Sequence, residues 1–236
     1  MRLQLDKALQ AQGFGTRKAC RLLVNRGAVN VNGVLADSPD AAVESDGLVL
    51  TVEGVDWPFH ERLYLALHKP AGVECSHTPT HHPSVFSLLP APFVTRGVQC
   101  VGRLDADTSG LLLLSDDGAF IQRLTSPKHK VPKTYLVTCA EPVTQALVER
   151  LSGGVQLNDA PEPVAGQGER VSERALRLTI HEGKYHQVKR MVAAAGNHVV
   201  ALHRERVGAL ELPAALTTGT WQVLDGPALA LVKATP

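Results

Sequence analysis

The sequence predicts an α+β fold in two parts, and three observations predict it. The first 35 residues carry the spacing of two short helices followed by a hairpin. Trp57-Pro58-Phe59-His60 reads as a linker, because proline and the position before it leave helical geometry. Beyond it, short strand-like runs are interleaved with two clear helices, without regular β-α-β alternation. A chain of 236 residues and 25.3 kDa has room for a small domain and a medium one. The expected division is therefore 1–59 for the head and linker and 60–236 for the larger domain.

Leu5, Ala8 and Leu9 have helical spacing, with Gly13 as the stop. Thr16 is placed to cap a second helix with Ala19, Cys20, Leu22 and Leu23 on its apolar side and Gly27 past its end. Val29-Asn30-Val31-Asn32-Gly33-Val34 is alternation followed by Asn-Gly, a hairpin signal. Arg17, Lys18, Arg21 and Arg26 lie on or beside the second helix. Two short helices and a hairpin, basic on the helical side, resemble the S4 RNA-binding module, and the resemblance implies that these four cations meet RNA. An acidic stretch follows, holding Val43 and a strand candidate at 48–52. In the larger domain the strand candidates are 63–68, 111–115, 134–138, 176–180, 199–202 and 221–224, and the helices are 142–152 and 186–195.

Composition narrows the function classes. Hydrophobic residues are 44% and charged residues 20%, enough for an ordinary core. No apolar run approaches the ~18–20 residues of a membrane helix, and polar residues follow the N-terminal Met1-Arg2-Leu3-Gln4-Leu5-Asp6 where a signal peptide would be apolar. The cysteines Cys20, Cys75, Cys100 and Cys139 form no CxxC pair and are expected to be reduced thiols of a cytoplasmic protein. The glycines match no dinucleotide-binding or P-loop pattern.

Net charge is +1, which by itself counts against nucleic acid. The sum hides segregation: residues 1–35 carry +5, 119–138 carry +4 and 174–206 carry +5, offset by acidic spacers at 36–62 and 139–173. Blocks of this kind are either solvated helix faces or the parts of one phosphate-binding face. The expectation is a positive face running from the head to the reactive cleft.

The most specific stretch is Gly102-Arg103-Leu104-Asp105-Ala106-Asp107-Thr108-Ser109-Gly110, followed by Leu111-Leu112-Leu113-Leu114-Ser115-Asp116-Asp117-Gly118. Physically it is a polar loop leading into a four-leucine strand and an Asp-Gly turn. On spacing alone, a surface loop whose aspartates cap turns is the first reading; a carboxylate presented by a buried strand is the second.

The stretch resembles the G-R-L-D-x-D-T-x-G-L-L-L-L-x-x-D-G signature of the RsuA-like class of pseudouridine synthases. Three further matches follow in order. Leu67-His68-Lys69-Pro70-Ala71-Gly72 looks like the first family motif, which usually has Asn where His68 stands. Lys133-Thr134-Tyr135-Leu136-Val137 looks like the K-T-Y motif. Glu182-Gly183-Lys184-Tyr185-His186-Gln187-Val188-Lys189-Arg190-Met191 looks like the third motif and continues into Gly196-Asn197-His198-Val199-Val200-Ala201-Leu202-His203-Arg204-Glu205-Arg206. These last two runs favour members acting on 16S rRNA, at the uridine-516 site, over those acting on 23S rRNA.

The resemblance implies a mixed, largely antiparallel sheet and the isomerisation of a uridine in RNA without cofactor or metal. It implies that Asp105 is the catalytic carboxylate. Addition to C1′ and removal of the C2′ proton both fit it, and both need the ionised form. The resemblance further implies that Tyr135 packs on the uracil and that Lys184 is the basic residue paired with Asp105; an ammonium within ~4–6 Å stabilises a carboxylate's charge. The roles expected from it are for Arg103 to hold the loop or a phosphate, for Leu202 to line the uracil pocket, and for Lys133 and Arg190 to bind substrate. Lys128 and Lys130, with the head cations, are expected to meet RNA. The implied partner is 16S rRNA or a small-subunit assembly intermediate, bound by a monomer away from any membrane.

Rival readings are a 23S rRNA synthase of the same build, a non-catalytic S4-type RNA-binding protein, and a metallohydrolase. The last rests on Cys75, His77, His81 and His82, whose loose spacing lacks a second half. His181, His186, His198 and His203 read as RNA-facing or structural. Ser109 and Ser115 lack a His/Asp arrangement for a serine hydrolase.

Overall fold

The computed structural model describes residues 1–233. They divide into two units: Met1–Leu63 with Leu89–Gln99, and Tyr64–Leu88 with the chain from Cys100 onward. The segment Leu89–Gln99 groups with the first unit, a departure from a single cut at 59/60 that no local composition shift announces.

The first unit runs β1 (Arg2–Gln4), α1 (Leu5–Ala11), α2 (Arg17–Asn25), β2 (Val29–Val31), β3 (Val34–Leu35), β4 (Ala42–Glu44), β5 (Val49–Val52), β6 (Val55–Pro58) and α3 (Ala91–Thr95). Thr16 caps α2 by accepting from the Ala19 N–H at 3.3 Å. Cys20 and Val24, four apart, face the core, whereas Leu22 is exposed against expectation. Asn32 and Gly33 both have positive φ, 49° and 83°, as a two-residue hairpin turn requires. The order β3-β2-β5-β6 is antiparallel throughout.

The linker reading of Trp57-Pro58 is corrected. Both residues belong to β6, paired with Leu50 and Val49. The Trp57 ring meets Phe14 and Phe93 edge-on at 5.6 and 5.8 Å. Proline is tolerated there because β6 is the sheet's edge.

The second unit is built on one mixed sheet. Its strands are β7 (Tyr64–Lys69), β8 (Gln99–Cys100), β9 (Ser109–Ser115), β10 (Lys133–Cys139), β11 (Gln167–Arg170), β12 (Ala175–Ile180), β13 (Val199–Val207), β14 (Leu210–Glu211) and β15 (Trp221–Val223). The main path is β11-β12-β10-β13-β9-β7-β15. Only the β13–β9 step along it is parallel. The helices are α4 (Gly118–Thr125), α5 (Gln145–Gly153), α6 (Gln187–Ala194) and α7 (Gly226–Lys233). Asp117 caps α4 by accepting from the Ala119 and Phe120 N–H groups, a helix that the Asp-Gly turn reading missed.

β9 explains its own sequence. Leu111 to Leu114 are at most 1% exposed, so the strand is covered on both faces and reads as an unbroken apolar run. Each such leucine contributes roughly 1.5–3 kcal/mol of burial. Gly110 lies opposite Arg204 on β13 with φ +109°, and a Cβ there would sit 2.3 Å from the Arg204 carbonyl oxygen. Backbone cannot yield that distance without separating the two strands. Gly110→Ala is therefore expected to destabilise the protein by about 2 kcal/mol or more, measured as the shift in urea unfolding midpoint.

Candidate active site

The Asp105 loop is held from beneath by a lysine. Lys69 ends β7 and is fully buried. Its Nζ donates to the carbonyl oxygens of Pro70, Asp105, Ala106 and Thr108 at 3.0, 3.1, 3.3 and 2.8 Å. Three N–H groups shared among four converging carbonyls describe an ammonium, since a neutral amine has fewer hydrogens to give. Burial pushes its pKa down, against smaller upward pulls from Cys75, Asp107 and Asp105. The Gly72 N–H adds a 2.7 Å bond to the Ala106 carbonyl, and the Leu104 N–H meets the Cys75 sulfur at 3.5 Å.

Beside the loop opens a cavity of about 560 Å³. Its floor comes from one face of three adjacent strands: Lys133 and Tyr135 on β10, Leu202 and Arg204 on β13, and Ile180 on β12. The i, i+2 spacing in each pair follows from strand pleating. A register shift between Thr134 and Tyr135 leaves Tyr135 directly opposite Arg204. Tyr135, Leu202 and Arg204 are at most 7% exposed. Burial, with the Arg204 charge beside it, pulls the Lys133 ammonium down to about 8.

The expected partner of Asp105 is corrected. Lys184 lies 3.2 Å from Glu182 Oε2 and makes no ion pair with Asp105 among the described residues. Lys189 Nζ and His186 Nε2 instead each lie 3.4 Å from Asp105 Oδ2. Lys189 also donates to both Asp107 oxygens at 2.7 and 2.8 Å. Burial alone would lower Lys189; the hydrogen bond to Asp107 and the charges of Asp105 and Asp107 hold its pKa above the ordinary value. The same hydrogen bond lowers Asp107. Both partners lie in the third family motif, but only the position of the first turn of α6 tells which cation reaches the loop.

Arg190 is a second correction. It grips Asp159 through its two terminal guanidinium nitrogens and does not line the cavity. Arg103 and Lys184 are exposed and do line it. Lys128 and Lys130 are exposed. In the first unit, Arg17 and Arg21 each meet the buried Asp6 at 2.8 Å, Arg21 also meets Asp40 at 2.7 Å, and Arg26 pairs with Glu53. Burial would raise the Asp6 carboxyl, but hydrogen bonds from Arg17 and Arg21 hold it below its ordinary value. Three of the four head cations expected to meet RNA are thus engaged within the unit; Lys18 is exposed without an ion pair among the described residues.

Where the family usually has Asn, His68 Nδ1 lies 2.9 Å from the Leu216 carbonyl, and its ring meets His203 edge-on at 5.5 Å, with His203 Nδ1 at 2.9 Å from Ser109 Oγ. His68 does not line the cavity. The candidate zinc residues are organised otherwise: Glu74 accepts the N–H groups of Thr80, His81 and His82, and His77 stacks on Phe86 at 3.6 Å. Among the described residues, no group of three or more His, Cys, Asp or Glu side chains is placed to hold a metal ion. Nor is any helix long and apolar enough to cross a membrane.

Asp105, with Lys189 and His186 beside it, thus shares one cavity with the buried Tyr135. The sequence profile of the RNA pseudouridylate synthase family matches residues 63–194, and the chain belongs to that family. Within it, the chain is 39% identical over 231 residues to the ribosomal small subunit pseudouridine synthase A of Vibrio cholerae, covering 98% of this chain and 99% of that one. It is 40% identical over 240 residues to the protein of the same name from Escherichia coli strain K12, covering 98% and 100%. The crystal structure of a pseudouridylate synthase superposes with a TM-score of 0.69 at 35% identity, covering 98% of this chain and 99% of the other.

Two outcomes follow from this geometry. Lys69→Met removes the donor of the Pro70 and Thr108 carbonyls, while those of Ala106 and Asp105 keep the Gly72 and Thr108 N–H groups, and is expected to cost on the order of 3 kcal/mol in urea unfolding. For Lys133, the unfolded chain holds its proton up to the ordinary 10.5 while the folded chain releases it near 8. The unfolded state binds more protons between those values, so this group makes stability rise with pH from 8 to 10.5. Unfolding midpoints across that range should rise more steeply in the wild type than in Lys133→Met.

Proposed function

We propose that the chain isomerises one uridine of small-subunit rRNA, the uridine-516 site, to pseudouridine. In this reading the N1–C1′ bond breaks, the freed uracil turns in place, and C5 bonds to C1′. C5 gives up a proton and N1 gains one, so the reaction exchanges no electrons and calls for no cofactor. Asp105 is the carboxylate at the sugar, Tyr135 packs on the uracil, and Leu202 lines the base pocket. Lys189 and His186 orient Asp105, the role expected of Lys184. Arg103 and Lys133 meet the nucleotide at the loop and floor. The observation that carries the reading is the convergence of Asp105, Tyr135 and Lys189 on one cavity.

The first unit serves as an S4-like RNA-binding module, with Lys18 the one of its four expected cations that makes no ion pair among the described residues. Lys128 and Lys130 add contacts beside the cavity. A uridine in structured RNA must leave its stack at a cost of a few kcal/mol, which phosphate contacts offset. The chain acts as a cytoplasmic monomer on rRNA or an assembly intermediate.

Release of tritium from C5-tritiated uridine in rRNA tests the roles. Asp105→Asn is expected to lower turnover on the order of 10⁴-fold or more. Lys189→Met should lower kcat roughly 10- to 100-fold, because a misplaced carboxylate loses that much. Lys184→Met should change it less than about threefold, as a half-exposed pair with little to lose. Mapping pseudouridine in total rRNA with and without the protein tests the target. A site lost only from 23S rRNA overturns the small-subunit assignment, and full activity of Asp105→Asn overturns the catalytic one.

A further inference from the structure

Tyr185 differs from the other aromatics of the described chain. It is 72% exposed, and it is the only aromatic side chain among the exposed large hydrophobic residues. Yet it is held in place. One face of its ring lies on the His186 imidazole, with centroids 3.8 Å apart and planes 18° from parallel. Its carbonyl accepts from Arg190 Nη1 at 3.2 Å, and Arg190 is itself clamped to Asp159. His186 sits in the left-handed region at φ 48°, a conformation costing roughly 1–3 kcal/mol in a residue with a side chain. Both residues line the cavity, and His186 Nε2 touches Asp105. Reading outward, Asp105 is followed by the imidazole, then by the tyrosine ring, then by solvent.

We propose that the open face of Tyr185 is a stacking platform for the base of the nucleotide adjoining the target uridine. The inference rests on the cavity being a uridine site, and it names what lies next to that uridine. When a base leaves its stack, its neighbour loses a stacking partner. A rigid aromatic face fixed beside the cavity replaces that partner, as aromatic side chains do for splayed single-stranded bases. Every base has a π face, so the platform supplies affinity and strand register without choosing a sequence. The strained turn at His186 and the Arg190–Asp159 clamp then have a common purpose: they set the ring beside the reacting carboxylate. Arg190, expected to bind substrate, becomes a positioning residue for the tyrosine.

The test uses rRNA fragments carrying the uridine that the wild type converts, with 2-aminopurine as its 5′ or its 3′ neighbour. Tyr185→Leu keeps apolar bulk on His186 without a ring face; Tyr185→Phe and Tyr185→Trp keep the ring. The expected result is a KM raised roughly 5- to 150-fold in Tyr185→Leu, the equivalent of about 1–3 kcal/mol of stacking. Its kcat should stay within about twofold, as a uniform binding loss requires. The ring-bearing variants should match the wild type. In the Asp105→Asn background, used to slow turnover, one of the two probes should stay quenched with Tyr185 and brighten with Tyr185→Leu. Wild-type KM and unchanged fluorescence of both probes in Tyr185→Leu overturn the proposal. So does a fall in kcat at constant KM, which would mean that the tyrosine acts only through His186 on Asp105. Absence of conversion by the wild type would count against the uridine reading itself and is scored separately in the same assay.

Discussion

The second unit depends on one buried ammonium. Lys69 gathers three carbonyls of the Asp105 loop, together with that of Pro70 beside it in the chain. Backbone carbonyls in a loop have no ladder to satisfy them, and a polar loop over a leucine strand would otherwise be wet and mobile. A cation at their focus turns that liability into rigidity: it fixes the direction of the peptide units around Asp105 and leaves the carboxylate free to face the cavity. The arrangement works because β7 and β9 pair, placing Lys69 opposite Gly110 at the point where the loop becomes strand. It also works because Gly110 lets β13 approach closely enough to bring Leu202 and Arg204 under the same cavity. Strand order, glycine and lysine are three parts of one constraint.

How much of this was legible in the sequence differs by feature. Strands β7, β9, β10, β12 and β15 fall on the apolar runs read from the sequence, because a strand covered on one or both faces must advertise itself in composition; of β13 only 199–202 was legible, since its continuation to Val207 is largely charged. The hairpin at Asn32-Gly33 was legible because only that chemistry suits two successive positive φ values. Trp57 was misread because its partners, Phe14 and Phe93, lie 43 and 36 residues away, beyond any local window. The Leu89–Gln99 excursion into the first unit has the same cause.

The candidate site shows the same division. The positions of Asp105 and Tyr135 at the cavity were legible through their motifs, since one lies just ahead of β9 and the other within β10. The cation beside Asp105 was not. Lys184 and Lys189 are five residues apart in one basic run, and the deciding fact is where α6 begins. His186 in the left-handed region reverses the chain, so the helix opens at Gln187 with Val188, Met191 and Val192 turned to the core. That rotation swings Lys189 toward the loop and leaves Lys184 before the helix, beside Glu182. A rotation about a helix axis is a tertiary outcome, set by which apolar residues find the core.

Charge patterning needs the same care. The basic block at 1–35 and the acidic block at 36–62 look like separate features in the sequence, yet they meet in space: Asp40 and Glu53 from the second pair with Arg21 and Arg26 from the first. In the block at 174–206, Arg177, Lys184, Lys189, Arg190 and Arg206 all face carboxylates. A guanidinium already held by a carboxylate offers a phosphate less, because the new contact must compete with the old one at similar strength. Counterion release scales with the phosphates neutralised, not with the lysines and arginines counted. The cations left without a carboxylate are fewer than the blocks suggest, and Arg103, Lys128 and Lys130 are exposed among them. On the proposed reading, recognition leans on shape and on stacking around the cavity more than on a broad positive face, and the exposed Tyr185 ring, stacked on the His186 that reaches Asp105, is the surface suited to it.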